Sequence, residues 1–135
     1  MQTAGNFLTA VRTGNLLYVS GHISGRGAKP ITGKIGTEES IERGYEAARN
    51  VADQLLATIE HEMGSLDRVL RIVKLLGFVN ASPDFTEMPA VINGASDRLI
   101  EVLGERGRHA RSAVGVASLP GNSSVEVELI AEISE

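Results

Sequence analysis

Arg111 opens the strand-like run Ala110 to Ala117, where alternation puts its side chain on one face with Ala113, Gly115 and Ala117. Those three are small, so a guanidinium there projects over an open floor, and its planar fork can hold a carboxylate through two parallel hydrogen bonds. The same spacing equally describes a surface arginine paired with one of the 17 acids. Glu126 and Glu128 stand two apart on one face of a later strand-like run, where one carboxyl could move protons and the other structure a partner, or both could belong to a solvated face. Ser20-Gly21 is expected to end an early strand, where freed backbone groups either bind an oxygen or simply terminate the pairing.

Other chemistries lack their residues. With no cysteine there is no thiolate nucleophile, disulfide or thiolate metal site. His22, His61 and His109 show no paired ligand spacing, so no metal site is expected, and His61 falls in the last turn of a helix, where it suits the dipole. No Gly-x-Ser-x-Gly elbow occurs. Gly25-Arg26-Gly27-Ala28-Lys29 lacks the Gly-Lys-Ser/Thr ending and following helix of a phosphate loop, and reads as a plain loop.

The elements that must position these groups read off from periodicity. Leu8 to Arg12 and Leu16 to Ser20 flank Thr13-Gly14-Asn15 as a hairpin. Arg26 to Gly36 is a loop with a short strand near Ile31-Thr32. From Thr37 to Met63 apolar residues recur at three- and four-residue steps, predicting a long helix with Thr37 as N-cap and Gly64 just past its end. Val69 to Val79 is apolar on both faces and reads as a central strand covered on both sides. Ile92 to Leu103 predicts a second helix ending at Gly104, followed by strands at Ala110–Ala117 and Val125–Ile133. Two helices on one face of a mixed sheet make an α+β two-layer domain. Its other face, carrying Ile130 among the glutamates, is then expected to meet another subunit.

A chain of 135 residues is one domain, residues 1–135, able to bury roughly two thirds of its unfolded surface. A net charge of −4 gives no general attraction for phosphate backbones or anionic membranes. Tyr45 and Phe78 fall on buried faces, leaving only Phe7, Tyr18 and Phe85 for a base-stacking platform, so nucleic acid is not an expected partner. Met1 to Asn6 carries no secretory pattern and no apolar run reaches membrane-spanning length, which predicts a cytoplasmic protein with no membrane partner.

Arg111-Ser112-Ala113-Val114-Gly115-Val116-Ala117-Ser118-Leu119-Pro120, followed by Val125-Glu126-Val127-Glu128-Leu129-Ile130-Ala131, resembles the signature of the Rid (YjgF-type) family of reactive intermediate/imine deaminases, formerly labelled endoribonuclease L-PSP. Gly14 to Gly21 resembles the same family's second-strand motif, and the element order agrees from about Gly5 to Ile133. The resemblance implies a chorismate-mutase-like fold and a homotrimer with a barrel-like core and sites in the clefts between subunits. It further implies an arginine, here Arg111, holding the carboxylate of a small imino or enamino acid such as 2-aminoacrylate, and an acid/base glutamate, here Glu126. Ser20, Gly21 and Pro120 match other site positions. Water attacks the C=N carbon and releases a 2-keto acid and ammonia, with no cofactor and no metal.

This sequence departs from that pattern. Phe7 stands where typical deaminases carry a tyrosine, keeping the ring without the hydroxyl. Ala113 stands where a cysteine is typical, and Phe85 to Asn93 is longer than usual by about a helical turn. Asn93 is therefore either the counterpart of the site's asparagine or a helix cap ahead of Gly94. The residues are expected to serve a deaminase of carboxylate-bearing intermediates; a non-catalytic metabolite-binding trimer and, further off, an endoribonuclease are the alternatives.

Overall fold

A computed structural model describes residues 5–135. The reading of the first residues as lacking a leader rests largely on positions outside that range.

The elements follow the order the periodicity predicts. Strands β1 (Ala10–Thr13) and β2 (Leu16–Ile23) precede helix α1 (Ile41–Met63), β3 (Val69–Asn80), helix α2 (Met88–Leu103), β4 (Ala110–Val116) and β5 (Val125–Ile133). They build one five-stranded sheet in the order β1-β2-β5-β3-β4. Every neighbouring pair is antiparallel except β3 with β4, so the sheet is mixed and β4 forms a parallel edge.

Alternation along β5 explains the two layers. Val125, Val127, Leu129, Ala131 and Ile133 are at most 3% exposed and face the helices. They meet Ala47, Ala48, Val51, Ala52, Leu55 and Ile59 of α1 and Val91, Ile92, Ala95 and Leu99 of α2 in one core. The helices lie close together because of two glycines. A Cβ at Gly94 would collide with the Tyr45 carbonyl oxygen and lie 2.9 Å from its carbon, and one at Gly44 would lie 3.0 Å from the Val91 side chain.

Several boundaries differ from expectation. Lys34 O accepts from the backbone N–H of both Glu38 and Glu39, so a turn takes up Thr37 and α1 starts three residues later. Its N-cap is Ser40, whose Oγ accepts from Arg43 N at 3.1 Å. Gly64 ends it in the left-handed region at φ 83°, as predicted. Within one chain β3 is covered on the helix side alone. Leu75 and Val79 are fully buried, but Leu70 and Val73 are 49% and 37% exposed. Irregularities at Val69/Arg71 and Ile72/Lys74 break the alternation there, and the helices cover only one side of the sheet. Val11, Tyr18 and Val114 add to the apolar surface left bare.

Candidate active site

On β2 the pairing to β5 runs Val19 with Leu129 and then His22 with Val127, three steps on one strand against two on the other. The extra residue is a β-bulge at Ser20-Gly21, so this pair lies inside β2 rather than at its end, where the sequence placed it. A bulge belongs to the pairing of two strands distant in sequence, and neither strand alone announces it. Ser20 is fixed at both ends: its N–H donates to Thr9 O at 2.9 Å and its Oγ to Leu8 O at 2.6 Å. His22 secures the bulge from the helix side. Its Nδ1–H donates to Ser20 O at 2.8 Å, so Nε2 accepts from the Thr58 hydroxyl at 2.8 Å. Burial lowers its pKa and favours this neutral form.

The bulge opens a cleft of about 220 Å³ lined by Phe7, Thr9, Ser20, Gly21, Arg26, Gln54, Pro120 and Glu126 among others. Phe7, Ser20, Gly21, Pro120 and Glu126, predicted separately, are thus brought together; Thr9, Arg26 and Gln54 carried no signal that sequence reasoning could use. Gly21 has a steric reason: a Cβ there would strike Glu126 Oε2 and lie 3.1 Å from the carboxyl carbon. The carboxyl of Glu126 is pushed above its ordinary range, first by burial and then by the charge of Glu128. A carboxyl raised in this way holds a proton more readily than a free one, which suits it to carry and return one.

That shift has a stability consequence. A carboxyl whose folded pKa is raised leaves the fold at full stability below the unfolded pKa, and the stability is lost as pH rises through the folded pKa. Glu126→Gln is therefore expected to melt at a higher temperature than the native chain at about pH 8, with the gain shrinking towards about pH 4. Melting curves across that range test it; a difference independent of pH would contradict the raised carboxyl.

Arg111 lies elsewhere. It pairs with Leu75, which pairs with Leu129, and both are core residues, so its side chain points to the helix side of the sheet while Glu126 points to the open side. Its Nη1 donates to Ser96 Oγ at 3.0 Å and its Nη2 to Pro89 O at 3.3 Å, both on α2. No acid among the described residues pairs with it, which removes the surface-pair alternative. Asn93 stands four residues after Pro89 and three before Ser96, on the stripe of α2 that the guanidinium spans. The helix-cap alternative for Asn93 fails, because α2 begins at Met88 with Glu87 at the cap position. Ala113 continues the Arg111 face and packs at the edge of the core. The predicted residues therefore form two groups: Phe7, Ser20, Gly21, Pro120 and Glu126 in the cleft, and Arg111, Asn93 and Ala113 at the seam of β4 and α2. Among the described residues no cluster of three or more His, Asp or Glu could hold a metal, and no helix is long and apolar enough to cross a membrane.

The family model described as Endoribonuclease L-PSP matches residues 1–133. Protein TCP17 of Trypanosoma cruzi is 44% identical over 97% of this chain and 83% of its own length. A solved structure of a protein of unknown function from Agrobacterium tumefaciens is 44% identical with a TM-score of 0.93, covering 97% of this chain and 84% of that one. RidA from an Antarctic Psychrobacter is 31% identical with a TM-score of 0.61, covering 98% of this chain and 92% of its own.

Proposed function

The chain belongs to the endoribonuclease L-PSP family, which includes the Rid (YjgF-type) proteins, and we propose that it is a hydrolytic deaminase of small 2-imino acids and their enamine tautomers, such as 2-aminoacrylate. The observation that carries this reading is Glu126: a part-buried carboxyl whose pKa is raised by burial and by Glu128, lying against a glycine in a cleft sized for a small metabolite.

One chain supplies the two halves of this site on opposite faces of its sheet, so Arg111 and Glu126 of the same copy do not address the same substrate. A second copy seated on the bare apolar face would bring its Arg111 to the Glu126 cleft of the first. Head-to-tail repetition of that contact closes a ring, and a homotrimer with three inter-subunit sites is the assembly proposed. Exposed Val11, Tyr18, Val73 and Val114 support an interface on that face.

Chemistry follows from the two groups. Arg111 holds the carboxylate and fixes the imine carbon beside Glu126. Water adds to that carbon as a proton reaches the imine nitrogen, giving a carbinolamine. Transfer of a second proton from the hydroxyl to the amine then expels ammonia and leaves the 2-keto acid. Glu126 is placed to take the proton from water and return it to nitrogen, a role worth about 10²–10⁴-fold in rate. Every step is a proton transfer or a hydrolysis, within reach of these side chains.

The test is ammonia release from enzymatically generated 2-aminoacrylate and from larger imino acids, with purified protein against buffer. Acceleration over the spontaneous reaction is expected. A correctly assembled protein that accelerates none of them yet binds keto acids would be a metabolite-binding trimer instead.

A further inference from the structure

Arg111 is the first of four groups joined by hydrogen bonds of one direction. His109 Nδ1 lies 2.6 Å from Gly107 O, which can only accept, so the ring proton sits on Nδ1. Burial, with a smaller push from the charge of Arg111, lowers the His109 pKa against the opposing Gly107 bond and so favours a lone pair on Nε2. Nε2 lies 2.8 Å from Ser96 Oγ, so the serine hydroxyl donates to it. The Ser96 oxygen must then turn a lone pair to Arg111, whose Nη1 donates to it at 3.0 Å. Each proton position follows from the previous one, and the chain runs Arg111 to Ser96 to His109 to the Gly107 carbonyl.

We propose that Ser96 and His109 are positioning residues that hold the Arg111 guanidinium in the orientation that receives a substrate carboxylate. The proposal rests on the clamp role given to Arg111 above. A guanidinium has five N–H groups in a fixed plane. Committing one on Nη1 to Ser96 and one on Nη2 to Pro89 O sets that plane against α2 and leaves the remaining donors as a fork for an incoming ligand. A serine alone would not suffice, because its hydroxyl can rotate and present its proton to the arginine. The neutral histidine removes that freedom by taking the proton. Neither residue need touch substrate, and both act through Arg111.

The experiment is calorimetric titration of 2-oxobutanoate, a stable keto acid, and of its uncharged amide, into the native protein and the Ser96→Ala, Ser96→Thr, His109→Gln, His109→Phe and Arg111→Ala variants. Melting curves accompany the titrations, and KM and kcat are measured on an imino acid. Ser96→Ala is expected to weaken the keto acid about 10-fold and raise KM by a similar factor, with little change in kcat. The amide, which makes no charged contact with Arg111, keeps its affinity. Ser96→Thr retains the hydroxyl and His109→Gln offers Nε2's acceptor through an amide oxygen, so both stay near native affinity. His109→Phe offers no acceptor, so it weakens the keto acid but not the amide and carries the test if Ser96→Ala does not fold; native keto-acid affinity in folded His109→Phe would overturn the role. Equal loss for acid and amide in Ser96→Ala, or a strong loss of keto acid in folded Ser96→Thr, would overturn the positioning role. Native affinity in Ser96→Ala would overturn it while leaving the clamp intact, provided Arg111→Ala loses the keto acid. If Arg111→Ala binds as the native protein does, the clamp and this proposal fall together.

Discussion

Arg111→Ala chains and Glu126→Gln chains, each inactive when pure, are expected to regain about a quarter of native deaminase activity when mixed in equal amounts and refolded together. The expectation follows from the placement of the two residues on opposite faces of one sheet. If each site takes Arg111 from one copy and Glu126 from the next, a site is intact when a Glu126→Gln chain supplies the arginine and an Arg111→Ala chain the carboxyl. Random assortment gives that pairing about one time in four. Alone, Arg111→Ala is expected to bind keto acids about 100-fold more weakly or worse, because a charge-assisted bidentate contact is lost and the ligand carboxylate is left unpaired. Ammonia release by the mixed and unmixed preparations reads the result. No recovery in a properly assembled mixture would mean that both groups of one site come from one chain.

Gly94→Ala is the substitution expected to damage the fold most for the fewest atoms. At an exposed position in a helix, replacing glycine by alanine gains about 1 kcal/mol. Here the added methyl would enter the space of the Tyr45 carbonyl oxygen on α1, a backbone atom that cannot rotate aside. Overpacking of a rigid core costs about 1–3 kcal/mol and sometimes more, so the net effect is destabilising and the helices must part. A fall in melting temperature of about 10 °C is expected. Gly44→Ala provides the contrast, since its methyl would meet side chains of Val91 and Ile35 at 3.0 and 3.1 Å, and these can shift by a few tenths of an ångström. Thermal denaturation of the two variants side by side is the measurement, and equal melting temperatures would contradict the rigid-backbone argument.

Much of this molecule is local and could be read as such. The apolar steps from Ala47 to Met63 define a helix face because the helical period is a property of the chain itself, and Gly64 ends it because only glycine readily takes φ 83°. The alternation from Val125 to Ile133 separates core from open face for the same reason and puts Glu126, Glu128 and Glu132 on the open side, while only the family resemblance distinguishes Glu126 among them. Of the cleft residues around Glu126, Ser20-Gly21 is legible as a candidate from the strand pattern, Phe7 and Pro120 only through the family resemblance, and Thr9, Arg26 and Gln54 not at all.

What remained hidden depends on partners far away in sequence. Alternation shows that Arg111, Ala113 and Gly115 share a face but not which layer that face meets; this was decided by α2 lying over the β3–β4 edge. The bulge at Ser20-Gly21 depends on the register of β2 against a strand more than a hundred residues away. Ser96 and His109 carry no joint signal, since they belong to a helix and a strand end that meet only after α2 packs on β4. Sequence alone therefore determined which elements form and which side chains could do chemistry, because periodicity and residue type act over a few neighbours. Only the tertiary structure decided that the arginine and the glutamate face opposite ways, because the direction of a side chain is set by the layer its strand packs against.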